Sequence, residues 1–495
     1  LDFVGRVARA AGEAGLTALV WRGFPPPVDD TVAWTTLTPD PAVLEVNAAP
    51  AASVSEFLAM SRSLYALAEA EGLAPYRLQY NGVISDSGGG GQFTLGGPSP
   101  ARSPFFIAPQ LMTRLVTYLN HHPSLSYWFA PLYVGSFSQS PRPDENVRES
   151  LSELSVALQH LSSMESPSPE FIWRSLSPFL VDTSGNAHRS ELNIEKLWNP
   201  YLPGRGCLGL VECRAFRMPP DAEHAAAIAA LLRAIVAMLS REDTAPGLVN
   251  RGSELHDRFA LPFYLRRDLE TVLEELAAAG FALGEPIAQH LFDDAMRHIG
   301  HTETGDCRLD VEHAIEFWPL LGDVASQEAG SSRLVDASTR RIQLSLRYVH
   351  EGATDLQGWQ LSAGGYRLPL RTETDGKARV RVAGLRYRSF VPWIGLHPGI
   401  DKQSPVVLTL IPPPDHSDAL RITLHEWQPQ NKPYDGLPAD LEEAARRTRE
   451  RFVVETLPAE SLPRMIEPPG EALTDYCLDL RRCPRVQNDR DSDPG

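Results

Sequence analysis

The chain has few cysteines for its size: five among 495 residues, at positions 207, 213, 307, 477 and 483. Their number is odd and their spacing is loose, so neither a disulfide framework nor a paired-cysteine metal site is predicted. Disulfides are rare in the reducing cytoplasm, and so few cysteines favour that location.

Positive charge is also scarce. The sequence holds 46 Lys and Arg against 63 Asp and Glu, which gives a formal net charge of −17. Nucleic-acid binding depends on clustered basic residues, so we expect no nucleic acid among the partners. A local basic pocket for a phosphorylated ligand remains compatible with this balance.

Long apolar runs are missing as well. The most apolar stretch, HAAAIAALLRAIVAMLS at positions 224–240, is interrupted by Arg233 and falls short of the roughly 20 residues that span a bilayer. We therefore predict a buried helix and no membrane partner. No signal peptide is visible, although the chain begins at Leu1 and the natural protein could be longer.

Several common catalytic motifs do not occur. The sequence has no GxxxxGK[ST] phosphate loop, no HExxH, no GxSxG and no GxGxxG opening a βαβ unit. Standard phosphate-loop nucleotide hydrolases, zinc proteases of the HExxH type, serine hydrolases with a nucleophile elbow and Rossmann enzymes thereby lose support.

Periodicity along the chain predicts an α+β fold. Helical spacing follows Ser53, where Ser53 and Glu56 form a capping box, and three helical stretches are expected between residues 222 and 300. Short alternating segments such as RRIQLSLRYVH, ARVRVAGLRYRSF and PVVLTLI predict strands. We predict a large domain over 1–325, a small β-rich domain over 331–430, and a helix with a disordered tail over 431–495.

The stretch SDSGGGGQFTLGG, residues 85–97, sets four glycines before a predicted strand. Glycine weakens regular structure by about 1 kcal/mol relative to alanine, so four together call for a reason. One interpretation is a flexible linker. The other is close approach of the backbone to a phosphate or a metal-bound ligand, since no Cβ intervenes.

Two predicted strands carry charged or polar side chains on one face. Alternation places Glu45 beside Asn47 in VLEVN, and Glu212 beside Arg214 in LVECRAF. A buried glutamate needs a cation or a metal as its partner. Exposed sheet faces or structural salt bridges are the alternative interpretation.

The segment NAHRSELNIEK, residues 186–196, concentrates His188, Arg189, Glu191, Glu195 and Lys196. A solvated charged hairpin and a site segment are both compatible with it. Further along, ELHDRF carries His256, Asp257 and Arg258, for which ion pairing at a helix end is the simpler interpretation.

These motifs, taken in order, resemble a bacterial amidoligase family of the glutamine synthetase-like carboxylate–amine ligase group, whose members are often fused behind transglutaminase-like domains. The resemblance rests on TPDPAVLEVNAAPAAS, SGGGGQFTLGG, SPFFIAPQLMTRLVTYLNHHPSLSYWF, VDTSGNAHRSELNIEKLW, LGLVECRAFRMPP, LHDRFALPF and LRYRSFVPWIGLHP. Together they extend over nearly the whole chain, up to about residue 430.

The resemblance implies a curved antiparallel sheet backed by helices, and an ATP-dependent reaction. ATP phosphorylates a carboxylate, and an amine then displaces phosphate to form an amide. The cofactors implied are ATP and Mg²⁺ or Mn²⁺, held by carboxylates on the concave face of the sheet. The partners implied are a small-molecule or peptide carboxylate, an amine, and possibly an upstream transglutaminase-like domain.

The resemblance also implies roles for individual positions. The implied catalytic residues are Glu191, Glu212 and Arg214, and the implied metal ligands are Glu45, Gln92 and Glu212. ATP would be held by Gly88, Gly89, Gly90, Gly91, Arg189, Lys196 and Arg258, and the substrate by Asn47 and His188.

Two positions depart from the family pattern. Gln92 and Ala49 stand where the family commonly has histidine, and the amide oxygen of glutamine binds Mn²⁺ more weakly than imidazole. A ligase is the leading hypothesis, because Glu45, Glu212, Arg214 and the glycine run are retained, whereas the two departures favour the alternative. The alternative is a degenerate ligase fold that binds a ligand or partner without turnover.

Overall fold

The structure is a computed structural model that describes residues 2–19, 35–40, 43–87, 90–145, 148–201, 206–242, 245–322, 334–349, 356–414, 418–430, 432–458 and 461–485. The chain divides into two compact units, Leu1–Ala51 and Ala52–Gly495. Each unit is described by itself below.

The first unit contains a helix and a two-stranded ribbon. Helix α1 spans Asp2–Glu13, and strands β1 (Thr36–Asp40) and β2 (Val43–Asn47) pair antiparallel, with Thr38 opposite Glu45. The ribbon confirms the strand predicted at VLEVN.

The second unit mixes helices and sheets. Its helices are α2 (Val54–Ala70), α3 (Pro104–Ile107), α4 (Leu111–His121), α5 (Ser124–Tyr127), α6 (Arg148–Ser162), α7 (Pro169–Leu176), α8 (Ala222–Leu239), α9 (Pro262–Ala278), α10 (Glu285–Phe292) and α11 (Leu441–Glu450). Its strands are β3 (Tyr76–Leu78), β4 (Ile84–Asp86), β5 (Phe93–Leu95), β6 (Tyr133–Val134), β7 (Leu192–Asn193), β8 (Val211–Cys213), β9 (His298–Thr304), β10 (Cys307–His313), β11 (Glu316–Phe317), β12 (Thr339–Tyr348), β13 (Gln360–Ala363), β14 (Tyr366–Arg367), β15 (Arg371–Asp375), β16 (Ala378–Arg388), β17 (Val406–Ile411), β18 (Ala419–Leu424), β19 (Phe452–Leu457) and β20 (Cys477–Asp479).

Helix boundaries follow their capping residues. The Ser53 hydroxyl accepts a hydrogen bond from the Glu56 backbone amide at the start of α2, as the predicted capping box requires.

Helix α8 is apolar on most of its circumference, and most of its residues are buried in a core shared with α4, α9 and strand β8. It is long and apolar enough to span a membrane, but its burial identifies it as a core helix of this fold.

The C-terminal half is built from two sheets. One has the strand order β15-β16-β12-β10-β9, with β20 parallel to β16, and the other has the order β14-β13-β17-β18-β19. Buried leucines from both sheets, such as Leu344 and Leu408, belong to one hydrophobic core, so the sheets pack face to face. In β10, buried Leu309 and Val311 alternate with the less buried Arg308 and Asp310.

The α+β prediction is confirmed by this mixture of helices and sheets. The predicted strands at 339–348, 378–388 and 406–411 are present, as is the late helix α11. The helical prediction up to residue 300 is wrong beyond Phe292, because His298–Thr304 forms strand β9. The sequence of β9 is mostly polar and lacks the apolar alternation that predicts a strand, although β9 pairs antiparallel with β10.

The predicted boundaries at 325, 331 and 430 stay predictions. Within 431–495, the structure adds strands β19 and β20 to the predicted helix, and both belong to the C-terminal sheets. Residues 486–495, predicted as a disordered tail, lie outside the described residues.

The candidate site lies on the three-stranded sheet, which has the strand order β5-β8-β7. Glu212, in the middle of central strand β8, is opposite Thr94 on one side and Asn193 on the other. Within the segments NAHRSELNIEK and LVECRAF, the strands extend only over Leu192–Asn193 and Val211–Cys213.

Candidate active site

Glu212 is the centre of a small ion cluster. Its Oε2 accepts a hydrogen bond from Lys196 Nζ at 2.7 Å, and its Oε1 accepts one from Arg214 Nη1. The Glu212 side chain is 6 % exposed, whereas the Lys196 side chain is 48 % exposed. The carboxylate is thus buried, whereas the lysine that pairs with it is in contact with solvent.

The charges around Glu212 set its protonation state. Burial acts to raise the pKa of the Glu212 carboxyl, but the hydrogen bond and charge of Lys196, together with the charge of Arg214, outweigh burial and lower it. The carboxylate is therefore ionised at neutral pH. Lys196 and Arg214 contribute two positive charges against one negative charge, so the cluster as a whole is cationic.

Gln92 belongs to the same cluster. Arg214 Nη1 donates to Gln92 Oε1 at 3.0 Å, which links the residue after the glycine run to strand β8. Arg214 Nε is buried and has no partner. The structure therefore brings together the side chains of Gln92, Lys196, Glu212 and Arg214, and Arg214 Nε is a donor without a partner.

The described glycines of the run pack against the chain itself. Gly91 donates its backbone N–H to Phe216 O at 2.9 Å, and a Cβ at Gly91 would lie 2.5 Å from Pro219 Cδ. Gly90 has φ +77°, which favours glycine. Close approach to residues 216–219 thus accounts for Gly90 and Gly91, whereas Gly88 and Gly89 lie outside the described residues.

Glu191 is held in a second buried network. Its carboxylate accepts a hydrogen bond from the Ser126 hydroxyl and lies 3.6 Å from Arg142 Nη1. Arg142 is fully buried and also forms two hydrogen bonds of 2.8 Å with Asp144. Burial raises the pKa of Glu191, and the charge of Arg142 opposes that rise.

This second network reaches the ion cluster through the backbone. The Arg214 N–H donates to Glu191 O at 2.9 Å, so the position of Glu191 fixes the backbone of Arg214. The sequence analysis missed Arg142 and Asp144. They stand in the polar segment PRPDE, where no periodicity marks a buried position.

The network contains one more buried acid. Glu145 accepts a hydrogen bond from the Tyr127 hydroxyl, and its second carboxylate oxygen is buried without a partner. Burial raises the pKa of Glu145 to about 8.

The other predicted residues have different surroundings. His188 is exposed and lies 3.3 Å from Glu195, and Arg189 donates to the Phe137 carbonyl at 3.4 Å. Arg258 pairs with Glu254 at 3.0 Å and lies over the rings of Phe259, Tyr264 and Tyr476, which matches the ion-pairing interpretation.

Glu45 and Asn47 belong to the first unit. Asn47 Nδ2 donates to Glu45 Oε1 at 2.9 Å, so the predicted sharing of one strand face is confirmed. Both residues are exposed on the ribbon.

No group of three or more His, Cys, Asp or Glu that could hold a metal ion occurs among the described residues. Within the described cluster, both oxygens of Glu212 are engaged by cationic side chains, and the Gln92 oxygen is engaged by Arg214. The donors of this cluster, Lys196 and Arg214, suit an anionic ligand, and the acceptor oxygens of Glu212 and Gln92 do not form a metal site by themselves.

Comparison with known proteins gives one family. The family model described as "Putative amidoligase enzyme (DUF2126)" matches residues 1–481. No curated protein and no solved structure matches the chain.

Proposed function

We propose, because the chain belongs to this amidoligase family, that it joins a carboxylate to an amine at the expense of ATP. The family match covers residues 1–481 and supports a ligase-type enzyme. ATP dependence, the acyl-phosphate route and a glutamine synthetase-like arrangement of the sheet are parts of the proposal.

The observation that carries the proposal is the cationic cluster on strand β8. Lys196 and Arg214 flank Glu212, and half of the lysine side chain is open to solvent. Phosphoryl transfer needs fixed positive charge beside phosphate oxygens, and arginine can bind such oxygens with two parallel hydrogen bonds. Arg214 Nε is buried without a partner, so it becomes available for a second hydrogen bond only when the arginine side chain moves.

The proposed reaction has two steps. A carboxylate oxygen attacks the γ-phosphorus, the bond to the bridging oxygen of ATP breaks, and ADP leaves. The amine nitrogen then attacks the acyl carbon, the C–O bond to phosphate breaks, and the amine loses a proton. Lys196 and Arg214 neutralise the anionic oxygens in both steps, while Glu212 keeps the two cations in place.

In this proposal Glu191 positions Arg214 rather than contacting substrate. Its carboxylate is engaged by Ser126 and Arg142, and its carbonyl accepts the Arg214 N–H. Mg²⁺ or Mn²⁺ would enter with the nucleotide and neutralise its phosphates.

The proposed substrates are a small-molecule or peptide carboxylate and an amine. All five cysteines are free, which agrees with a reducing, cytoplasmic location. An upstream transglutaminase-like domain remains a proposed partner, drawn from the resemblance alone.

The second candidate is a non-catalytic binding module. It is favoured by the lack of a three-ligand metal group among the described residues and by the use of the Gln92 oxygen on Arg214. Such a module would still bind an anionic ligand at Lys196 and Arg214.

The test measures ADP release from Mg·ATP in the presence of mixed amino acids and ammonium, for wild type, Glu212→Gln and the control Glu195→Gln. Glu195 immediately precedes Lys196 in the sequence and lies 3.3 Å from exposed His188. A ligase releases ADP with wild type and Glu195→Gln and loses release with Glu212→Gln. Nucleotide binding without ADP release from wild type supports the binding module.

A further inference from the structure

Apolar side chains are exposed together on one surface loop. Trp393 is 99 % exposed, and its neighbours Val391 and Ile394 are 52 % and 58 % exposed. Phe390 and Leu396 are also partly exposed. We call residues 389–402 the Trp393 loop. Single exposed apolar residues are ordinary, but a contiguous apolar patch marks an interaction site.

The loop is held in shape from inside. Arg388, which is 2 % exposed, donates to the carbonyl oxygens of Leu396, His397 and Ile400. The backbones of Arg388 and Gln403 are joined by a hydrogen bond of 2.8 Å, which brings the loop ends together. The loop is thus a compact Ω-loop rather than a frayed connection.

A second anchor fixes the tip. Asp336 Oδ2 accepts the Leu396 N–H at 2.8 Å, and a Cβ at Gly395 would lie 2.4 Å from Pro392 Cγ. Buried polar groups therefore hold apolar side chains outward. Such preorganisation lowers the entropic cost of binding a partner.

We propose that the Trp393 loop is a self-association surface and that its partner is the same loop of a second copy of this chain. Trp393 alone offers about 250 Å², and with its neighbours the loop presents on the order of 500 Å² of apolar surface, against the roughly 800 Å² per partner of a standard interface. The loop can therefore supply the centre of a dimer contact.

The charges beside the loop favour a second copy. Asp401 and Lys402 are adjacent, and Arg485 Nη2 lies 3.5 Å from Asp401. A rim that carries both signs is self-complementary about a two-fold axis, where each patch meets its own copy. An anionic membrane would require a basic rim instead, and the chain carries a net charge of −17.

Sedimentation velocity over a wide range of concentrations tests the proposal. Wild type is expected to approach twice its 54.5 kDa mass as concentration rises, and Trp393→Ser is expected to stay monomeric. Ile394→Ser provides a second variant at the same tip. Tyr201→Ser, at another exposed aromatic residue (82 % exposed), is the matched control and should dimerise like wild type.

Thermal unfolding of each variant checks that the exposed substitutions leave the fold intact. A wild type that stays monomeric at every concentration overturns the proposal. So does a dimer that survives both Trp393→Ser and Ile394→Ser. A monomer that co-sediments with phosphatidylglycerol vesicles would assign the loop to a membrane and also overturn it.

Discussion

Two buried glutamates in this fold have similar partners and different access to water. Glu212 has Lys196 and Arg214, while Glu316 has Arg386 at 2.6 and 2.9 Å and Arg341 at 3.5 Å. Glu316 is 0 % exposed, and its two arginines lie within the C-terminal half. Lys196, by contrast, is half open to solvent.

The comparison shows that an acid between two cations does not identify a site. At Glu316 the fork of Arg386 satisfies the carboxylate, and Arg341 lies 3.5 Å from it. The cluster thereby joins strands β11, β12 and β16 and holds the fold together. At Glu212 the accessible cation can exchange its partner for a ligand. Access of the cations, rather than burial of the acid, separates the candidate site from the structural cluster.

The largest effect is expected from Glu316→Gln. This change leaves the buried charge of Arg341 and the partly buried charge of Arg386 uncompensated, so the free energy of unfolding should fall by about 3–5 kcal/mol. Urea denaturation measures it. Glu467→Gln, at a surface pair with Arg367, is the control and should change stability by less than about 1 kcal/mol. Equal effects at both positions would show that the buried Glu316 cluster stabilises the fold no more than a surface ion pair does.

Glu212→Gln should destabilise the fold less, by about 1–3 kcal/mol, because Lys196 can turn to water while Arg214 stays buried. Urea denaturation of this variant beside Glu316→Gln gives the comparison directly. A loss as large as that at Glu316 would make the β8 cluster structural.

Acid titration measures how much the ion pairs of Glu212 contribute to the free energy of unfolding. The folded-state pKa of Glu212 is lowered from 4.5, so its ion pairs stabilise the fold above that pH, and this contribution is lost as the pH falls through the folded-state pKa. The free energy of unfolding should therefore fall more steeply below about pH 4.5 in wild type than in Glu212→Gln. Parallel curves for the two proteins would contradict the assignment.

The smallest stability effect is expected from Lys196→Met. The lysine side chain is half exposed and Arg214 still pairs with the buried Glu212, so removing the lysine charge should lower the free energy of unfolding by only about 1 kcal/mol. The same variant should lose most of the stabilisation that Mg·ATP gives to wild type. Thermal unfolding with and without Mg·ATP measures both, and undiminished stabilisation would exclude Lys196 from the site.

The sequence was sufficient to predict features that depend on residues close together in the chain. Alternation predicted that Glu212 and Arg214 share a face, and the capping box predicted the start of α2. Arg142 and Glu316 could not be predicted from the sequence, because each has a partner from a distant segment, Glu191 for Arg142 and Arg386 for Glu316, and nothing local marks them as buried. The glycine run shows the same limit, since the contacts of Gly91 are with residues 216–219 far along the chain.

Isothermal titration of Mg·ATP into wild type and Lys196→Met tests the central claim most directly. We expect saturable binding of Mg·ATP to wild type. Binding to Lys196→Met should be strongly weakened, although this variant unfolds at nearly the same urea concentration as wild type. Equal binding by both proteins, or no binding by wild type, would contradict a nucleotide site at the β8 cluster.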